Sequence, residues 1–250
     1  MAVVEQVAAV LKQLAQSEEG MGVMDLAQAV NLPRSTMSRV LSQMRSYGLI
    51  ERDPVTQRHR PGLVIAEAAR RCGGGQSLAD RAEQAMTVFS REIGHTTGLV
   101  QRNGDQVLEI RACVGSAPLR VVLPPGDSLP LFSAGTGRAL MAWEDDAVIR
   151  NLWTPQVAGN FEAPPESFDE LMARIAQIRD RGWESSITVS GDGISGVAVA
   201  FEGAETGERL CVYTVFSRLH VDDAERARIA EALRRAMAGV GRVQGPAIGA

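Results

Sequence analysis

Residues 32–53 read LPRSTMSRVLSQMRSYGLIERD, and this stretch decides the fold of the N-terminal part of the chain. Pro33 suits the first position of a helix, where its missing N–H costs no hydrogen bond. Gly48 is a typical helix stop, and residues 49–52 then predict a short strand. The predicted helix buries apolar residues at helical spacing: Met37, Val40, Leu41 and Met44.

The opposite face of this helix is polar and basic. It carries arginines and short hydroxyl side chains: Arg34, Ser35, Thr36, Ser38, Arg39, Ser42 and Arg45. Short hydroxyls allow a helix to approach phosphates and base edges closely, and arginines reach guanine or phosphate. Backbone N–H groups at the helix N-terminus add donors for a phosphate. The face therefore predicts DNA contact, although taken alone it would also suit a solvated amphipathic helix.

The elements around this helix give it a context. Two amphipathic helices are predicted before it, at residues 3–14 and 23–30, and a second strand follows at residues 58–60. Three residues of that strand are expected to grip the neighbouring DNA backbone or minor groove: Arg58, His59 and Arg60. Helix, turn, helix and a basic two-stranded ribbon form the layout of a winged helix-turn-helix.

Charge is distributed unevenly along the chain. The formal net charge of all 250 residues is −4. Within residues 32–62, six arginines stand against only Glu51 and Asp53, so this segment has a net charge of +4. A short basic segment in an acidic chain is what a local nucleic-acid contact predicts.

Other features narrow the class of protein. The cysteines Cys72, Cys113 and Cys211 lie far apart without histidines at ligand spacing, so neither a metal, a disulfide nor a cofactor is expected. The chain has no long apolar run and no basic leader, which predicts a cytoplasmic protein without membrane contact.

A glycine triplet at residues 73–75 marks the expected domain boundary. Residues 1–62 are predicted to form the winged helix-turn-helix, and residues 63–76 a linker helix with a Gly-rich break. Residues 77–242 are predicted to form a second, α+β domain, in which helices flank an antiparallel sheet. Residues 243–250 are predicted to be a flexible tail. The strands expected in the second domain are residues 97–101, 106–113, 119–123, 183–189, 196–201 and 210–216.

The motifs resemble those of the IclR family of bacterial transcriptional regulators. In the N-terminal part, residues 26–41 (LAQAVNLPRSTMSRVL) and 47–53 (YGLIERD) carry the likeness. The family's wing usually has a Gly where this chain has Gln57. In the C-terminal part, the likeness rests on residues 126–142 (GDSLPLFSAGTGRALMA), 178–183 (IRDRGW) and 193–199 (GISGVAV). The resemblance implies a GAF-like effector domain and a homodimer or homotetramer.

An effector site is predicted where residues 133–137 lead into a helix. Small residues and unpaired N–H groups there would suit an anion, so the expected effector is a small organic acid. The residues of this segment are Ser133, Ala134, Gly135, Thr136 and Gly137. The resemblance adds pocket walls: Leu131, Leu140, Asp192, Ser195, Gly196, Thr214 and Phe216. A plain helix cap, a core role for Leu140 and Phe216, and a turn role for Asp192 remain alternatives.

Two other functions fit the same residues less well. Catalysis is not expected, because His59 lies in the predicted wing and neither His95 nor His220 has a nucleophile motif beside it. A C-terminal domain that only assembles the protein is the second alternative, which the small-residue segment at 133–137 disfavours weakly.

Overall fold

The computed structural model describes residues 3–15, 17, 19–71, 77–118, 123–154, 165–187, 193–217 and 220–247. The chain divides into two compact units, Met1–Gln76 and Ser77–Ala250. The glycine triplet lies next to this division and outside the described residues, as does Cys72.

The first unit is a helical bundle with a small ribbon. Its elements are α1 (Val3–Ala15), α2 (Val23–Ala29), α3 (Arg34–Ser46), β1 (Ile50–Arg52), β2 (His59–Pro61) and α4 (Leu63–Arg71). Strands β1 and β2 pair antiparallel, and Met21 forms an additional bridge with His59. The four apolar residues predicted for α3 are all buried in the core of this unit, against Val10, Leu14 and Leu26.

Both ends of α3 follow from local chemistry. The helix begins at Arg34, and Pro33 is the N-cap rather than the first helical residue. Gly48 ends it with a φ of 68°, a left-handed conformation that glycine adopts without steric cost. The wing turn uses a less suitable residue, because Gln57 has a φ of 60° at the position where the family usually has Gly.

The second unit contains the remaining elements. These are α5 (Leu78–Ile93), β3 (Thr96–Asn103), β4 (Gln106–Cys113), β5 (Ser128–Pro130), α6 (Gly135–Met141), α7 (Asp146–Leu152), α8 (Phe168–Arg181), β6 (Glu184–Ile187), β7 (Ile194–Glu202), β8 (Arg209–Ser217), α9 (Asp223–Ala238) and β9 (Arg242–Val243).

Among the described residues, these strands form one seven-stranded antiparallel sheet in the order β5-β4-β3-β8-β7-β6, with β9 also paired to β7. The predicted α+β class is therefore confirmed. Strand β5 was not predicted, because three residues are too few to show an alternating pattern. The strand expected at residues 119–123 lies outside the described residues except for Leu123.

Helices cover both faces of the central strands. One face packs against α5 and α9 and contains Leu99, Val199 and Val212; we call it the α5/α9 face. The other packs against α6 and α8 and contains Val100 and Cys211; we call it the α6/α8 face. Strand β7 is buried from Ser195 to Phe201 without interruption, because side chains on both of its faces are covered.

The C-terminal segment differs from its prediction as a flexible tail. Val243 pairs with Phe201 at the sheet edge. The guanidinium Nη1 of Arg234 donates to the carbonyl oxygens of Gln244, at 3.2 Å, and Pro246, at 2.7 Å. The chain is therefore held through Pro246. Separately, the described helices include none with the length and apolar character needed to cross a membrane.

Candidate functional sites

The outward face of α3 is the first candidate site. Six of its seven predicted DNA contacts are exposed and the seventh, Thr36, is half-buried. Within the described part of the chain, Arg34, Arg39 and Arg45 pair with no carboxylate, so their positive charge is uncompensated. Because the helix buries its apolar face in the core, it must present this polar face to solvent.

The wing contributes two arginines that already have partners. Arg58 donates from Nη1 to the carbonyl oxygen of Gly20 at 3.0 Å and lies 3.4 Å from a carboxylate oxygen of Glu19. Arg60 donates from Nε to Glu51 Oε1 at 2.6 Å. Exposed ion pairs of this kind contribute at most about 1 kcal/mol. Both arginines can therefore exchange these partners for phosphate oxygens.

His59 does not belong to this surface, and its predicted DNA contact is wrong. Its side chain is 3% exposed, because alternation along β2 turns it into the unit while Arg60 faces outward. Its backbone pairs with Met21 in both directions, at 2.9 Å and 2.8 Å. Burial lowers the pKa of His59, and the nearby Arg52 and Arg45 lower it further. The imidazole is thus a neutral core group.

In the second unit, residues 131–135 are all buried. Arg138, 1% exposed, holds this segment from the first turns of α6. Its Nη1 donates to the carbonyl oxygens of Phe132, at 3.1 Å, and Ser133, at 2.8 Å, while its Nε donates to Glu184 Oε1 at 2.9 Å. Sequence reasoning missed this pair, because the partners are 46 residues apart.

The small residues of this segment have a packing reason. A Cβ on Gly137 would overlap the carbonyl oxygen of Leu131, so only glycine fits there. Leu131 and Leu140 lie in the core of the α6/α8 face, together with Ala134. Helix α6 itself begins at Gly135 with Ala134 as N-cap and no side-chain cap. Thr136 is half-buried.

The predicted pocket walls do not all converge. Three of them lie on the α5/α9 face, opposite to α6: Ser195, Thr214 and Phe216. Their predicted grouping with residues 133–137 is therefore wrong. Register decides this, because Ser195 pairs with Phe216, and Val197, on the α5/α9 face, pairs with Thr214. The Thr214 hydroxyl donates to the carbonyl oxygen of Thr96 at 2.9 Å. Gly196 occupies an alternate position on the α6/α8 side of β7, and Asp192 lies outside the described residues.

Glu109 is a functional candidate that the sequence analysis overlooked. Its side chain is 1% exposed on the α6/α8 face, where its strand partner is Val100. Burial raises the pKa of Glu109 to about 8, and the nearby charge of Asp127 raises it too. The Tyr213 hydroxyl and the Leu99 backbone approach the carboxyl and oppose this shift. Within the described ranges, however, neither carboxyl oxygen has a hydrogen bond of normal geometry. The sequence does contain a signal for this residue: Glu109 lies two positions after Val107 in the predicted strand, so both side chains share one face of the sheet.

Comparison with known families gives matches in both units. Residues 3–54 match the family described as the IclR helix-turn-helix domain. Residues 74–242 match the family described as the bacterial transcriptional regulator IclR C-terminal domain.

Individual relatives agree with the family matches. The HTH-type transcriptional regulator XynR of Escherichia coli strain K12 is 26% identical over 245 residues, which are 97% of this chain and 96% of the relative. The HTH-type transcriptional regulator KdgR of the same strain is 25% identical over 191 residues, covering 76% of this chain and 72% of the relative.

Solved structures show the same fold. An IclR homologue from Microbacterium hydrocarbonoxydans, complexed with 4-hydroxybenzoate, superposes with a TM-score of 0.79 at 19% identity, covering 96% of this chain and 98% of that one. A transcriptional regulator from Alicyclobacillus acidocaldarius superposes with a TM-score of 0.76 at 21% identity, covering 95% and 96%.

Proposed function

This chain belongs to the IclR family of bacterial transcriptional regulators, with a helix-turn-helix DNA-binding domain and a C-terminal effector domain, and we propose how it acts. As a homodimer or homotetramer in the cytoplasm, it binds a pseudo-palindromic operator through α3 and the wing. A small carboxylate effector binds the C-terminal domain and changes the affinity for that operator.

The outward face of α3 is the observation that carries this proposal. Arginines that pair with no carboxylate in the described part of the chain alternate there with short hydroxyl side chains, on a helix whose other face is anchored in the core. Such a helix fits the major groove, where arginine reads guanine with two hydrogen bonds. Arg58 and Arg60 of the wing supply sequence-independent contacts to neighbouring phosphates.

Two-fold symmetry is the reason for a pseudo-palindromic operator. Most homo-oligomers are symmetric, and a symmetric dimer presents two recognition helices to two half-sites about one helical turn apart. Each half-site would receive one α3 and one wing.

The effector is proposed from chemistry and from a homologue. The related protein from Microbacterium hydrocarbonoxydans was crystallised with 4-hydroxybenzoate, which is a carboxylate. A ligand can shift operator affinity only by as much as its own affinity differs between the two states of the protein. We place the effector on the α6/α8 face, next to the buried segment at residues 131–135.

Operator binding can be tested without knowing the regulated genes. Fragments of the source genome are selected on the purified protein, and the enriched fragment is used in gel-shift titrations. Arg39→Ala should weaken binding by about 5-fold to 150-fold, which corresponds to roughly 1–3 kcal/mol for one lost base contact. Lys12→Ala, which removes one positive charge from α1, is the matched control and should stay within about twofold of wild type.

Circular dichroism spectra of both variants should match that of the wild type, which checks that they are folded. A selection that enriches no fragment would overturn the proposed function. An Arg39→Ala variant with wild-type affinity would remove α3 from the interface.

A further inference from the structure

Glu109 is a buried carboxyl group that the contacts described above do not compensate. A carboxyl group without a partner is costly to bury, because it loses its hydration and gains no hydrogen bond in return. Among the described residues, no cation pairs with Glu109, and neither oxygen has a well-formed hydrogen bond. The side chain nevertheless sits on an apolar sheet face beside Val100, Val107 and Cys211. A partner from outside the protein would resolve this imbalance.

The backbone aims Glu109 at this face through a β-bulge. Leu99 of β3 opposes Arg111, whereas Val100 opposes Glu109, so Ile110 is an extra residue in β4. Ile110 packs with the α5/α9 core, and Arg111 reaches Glu83 of α5 from the same side. Bulges of this kind redirect a neighbouring side chain and are frequent next to functional sites.

A tyrosine and a glycine complete the surroundings. The ring of Tyr213 lies across the backbone of Gly98, where any Cβ would overlap both that ring and Glu109 Oε1. Gly98 therefore leaves the space in which Tyr213 and Glu109 meet. Burial, and then the nearby Glu109, raise the pKa of Tyr213, which keeps its hydroxyl neutral.

The charges around Glu109 determine what it can bind. Among the described residues, the titratable groups that face it from the adjacent elements are Asp127, which is exposed, and Cys211 and Tyr213 of β8, which burial holds neutral. Arg138 of α6 is occupied by Glu184. Glu109 thus stays protonated at neutral pH and offers an O–H donor instead of a negative charge.

We propose that Glu109 and Tyr213 form the polar end of the effector site, where the protonated Glu109 side chain donates a hydrogen bond to the effector carboxylate. This inference rests on the proposed effector function of the C-terminal domain. A carboxylic acid donating to a carboxylate makes a short, charge-assisted hydrogen bond. Deprotonated Glu109 would repel the same ligand, so the proton is part of the site.

The test is a thermal-shift screen of the full-length protein at about pH 6.5 and about pH 9. The probes are benzoate, 4-hydroxybenzoate, pyruvate and succinate, each compared with its amide, and benzylamine as a cation. At least one carboxylate should stabilise the protein more than its amide does. The Kd of that carboxylate, measured by calorimetry, should be about tenfold higher at about pH 9 than at about pH 6.5. The reason is that only about a tenth of the Glu109 side chains keep their proton one pH unit above a pKa of about 8.

Variants of Glu109 distinguish the role of its proton in ligand binding from an effect on folding. Glu109→Gln keeps a neutral N–H donor, so it should bind the same carboxylate with an affinity that no longer depends on pH. Glu109→Leu should lose binding at both pH values without losing stability, because it removes a buried polar group. The exposed Glu92→Gln on α5 is the control and should behave as the wild type.

Three results would overturn the assignment: no carboxylate stabilises the wild type, benzylamine is preferred to carboxylates, or Glu109→Gln keeps the wild-type pH dependence. Gel shifts without ligand distinguish a failure of this inference from a failure of the proposed function. Intact operator binding combined with a failed ligand test removes only the role of Glu109, whereas failed operator selection removes the proposed function itself.

Discussion

Arg138 and Glu184 form an ion pair shielded from solvent on both sides, with side chains 1% and 5% exposed and Nε lying 2.9 Å from Oε1. The same guanidinium holds the carbonyl oxygens of Phe132 and Ser133. One side chain therefore joins α6, the segment before it and strand β6. The α6/α8 face, where we place the effector, depends on this connection for its shape.

Breaking this pair should destabilise the second unit strongly. Arg138→Met leaves Glu184 and two carbonyl oxygens buried without their donor, although Arg181 still lies 3.3 Å from Glu184. We expect the free energy of unfolding to fall by about 3–5 kcal/mol in urea titrations followed by tryptophan fluorescence. Arg228→Met, which removes a largely exposed ion pair with Glu225 on α9, should cost about 0.5 kcal/mol or less. Equal losses in the two variants would contradict the role given to Arg138.

Gly137 should tolerate no side chain. The Cβ of Gly137→Ala would overlap the carbonyl oxygen of Leu131, so α6 would have to move away from the segment before it. We expect a loss of about 1–3 kcal/mol, as for other overpacked sites, measured by thermal unfolding. Gly239→Ala, at the end of α9, adds a methyl group at an ordinary contact distance and should change stability by less than about 0.5 kcal/mol. A harmless Gly137→Ala would show that this close approach is not required.

The backbone of the wing is strained at Gln57, and a glycine should relieve this strain. Gln57 adopts a left-handed conformation, which costs a non-glycine residue about 1–2 kcal/mol. Gln57→Gly should therefore stabilise the first unit by up to about 1 kcal/mol, after the lost hydrogen bond from Gln57 Nε2 to the Pro54 carbonyl oxygen is subtracted. Hydrogen exchange of α3 amides measures this unit directly. Gln43→Gly in α3 should do the opposite and cost about 1 kcal/mol. Destabilisation by Gln57→Gly would mean that the hydrogen bond outweighs the strain.

Acid should weaken the first unit through His59. Its pKa in the folded protein lies below the ordinary 6.5 because of burial, so the unfolded chain takes up a proton first as the pH falls. Stability is therefore full above about pH 6.5 and declines below it, which hydrogen-exchange protection of Val40 and Leu41 can follow. His59→Leu should flatten this decline, and the exposed His220→Leu should not. An unchanged pH profile in His59→Leu would assign the acid sensitivity to other groups.

Much of the first unit could be predicted from local patterns. The apolar spacing in α3 is unambiguous, because only one face of this helix is buried, and Gly48 marks its end. The burial of His59 could not be predicted in the same way. Alternation puts His59 on the face opposite to Arg58 and Arg60, but a strand of three residues does not show whether that face is covered. The bridge to Met21 and the core of the unit cover it.

The sequence by itself determined the two-part organisation, the α+β class, the family and the polar face of α3, because each depends on local periodicity or on a contiguous motif. Only the tertiary structure decided which layer each sheet residue faces. Strand β7 is buried on both faces, so hydrophobicity does not distinguish the side of Ser195 from that of Gly196. Register and the bulge at Ile110 make that distinction. They put Thr214 and Phe216 on the α5/α9 face and aim Glu109, an unexceptional glutamate in the sequence, into the buried α6/α8 face.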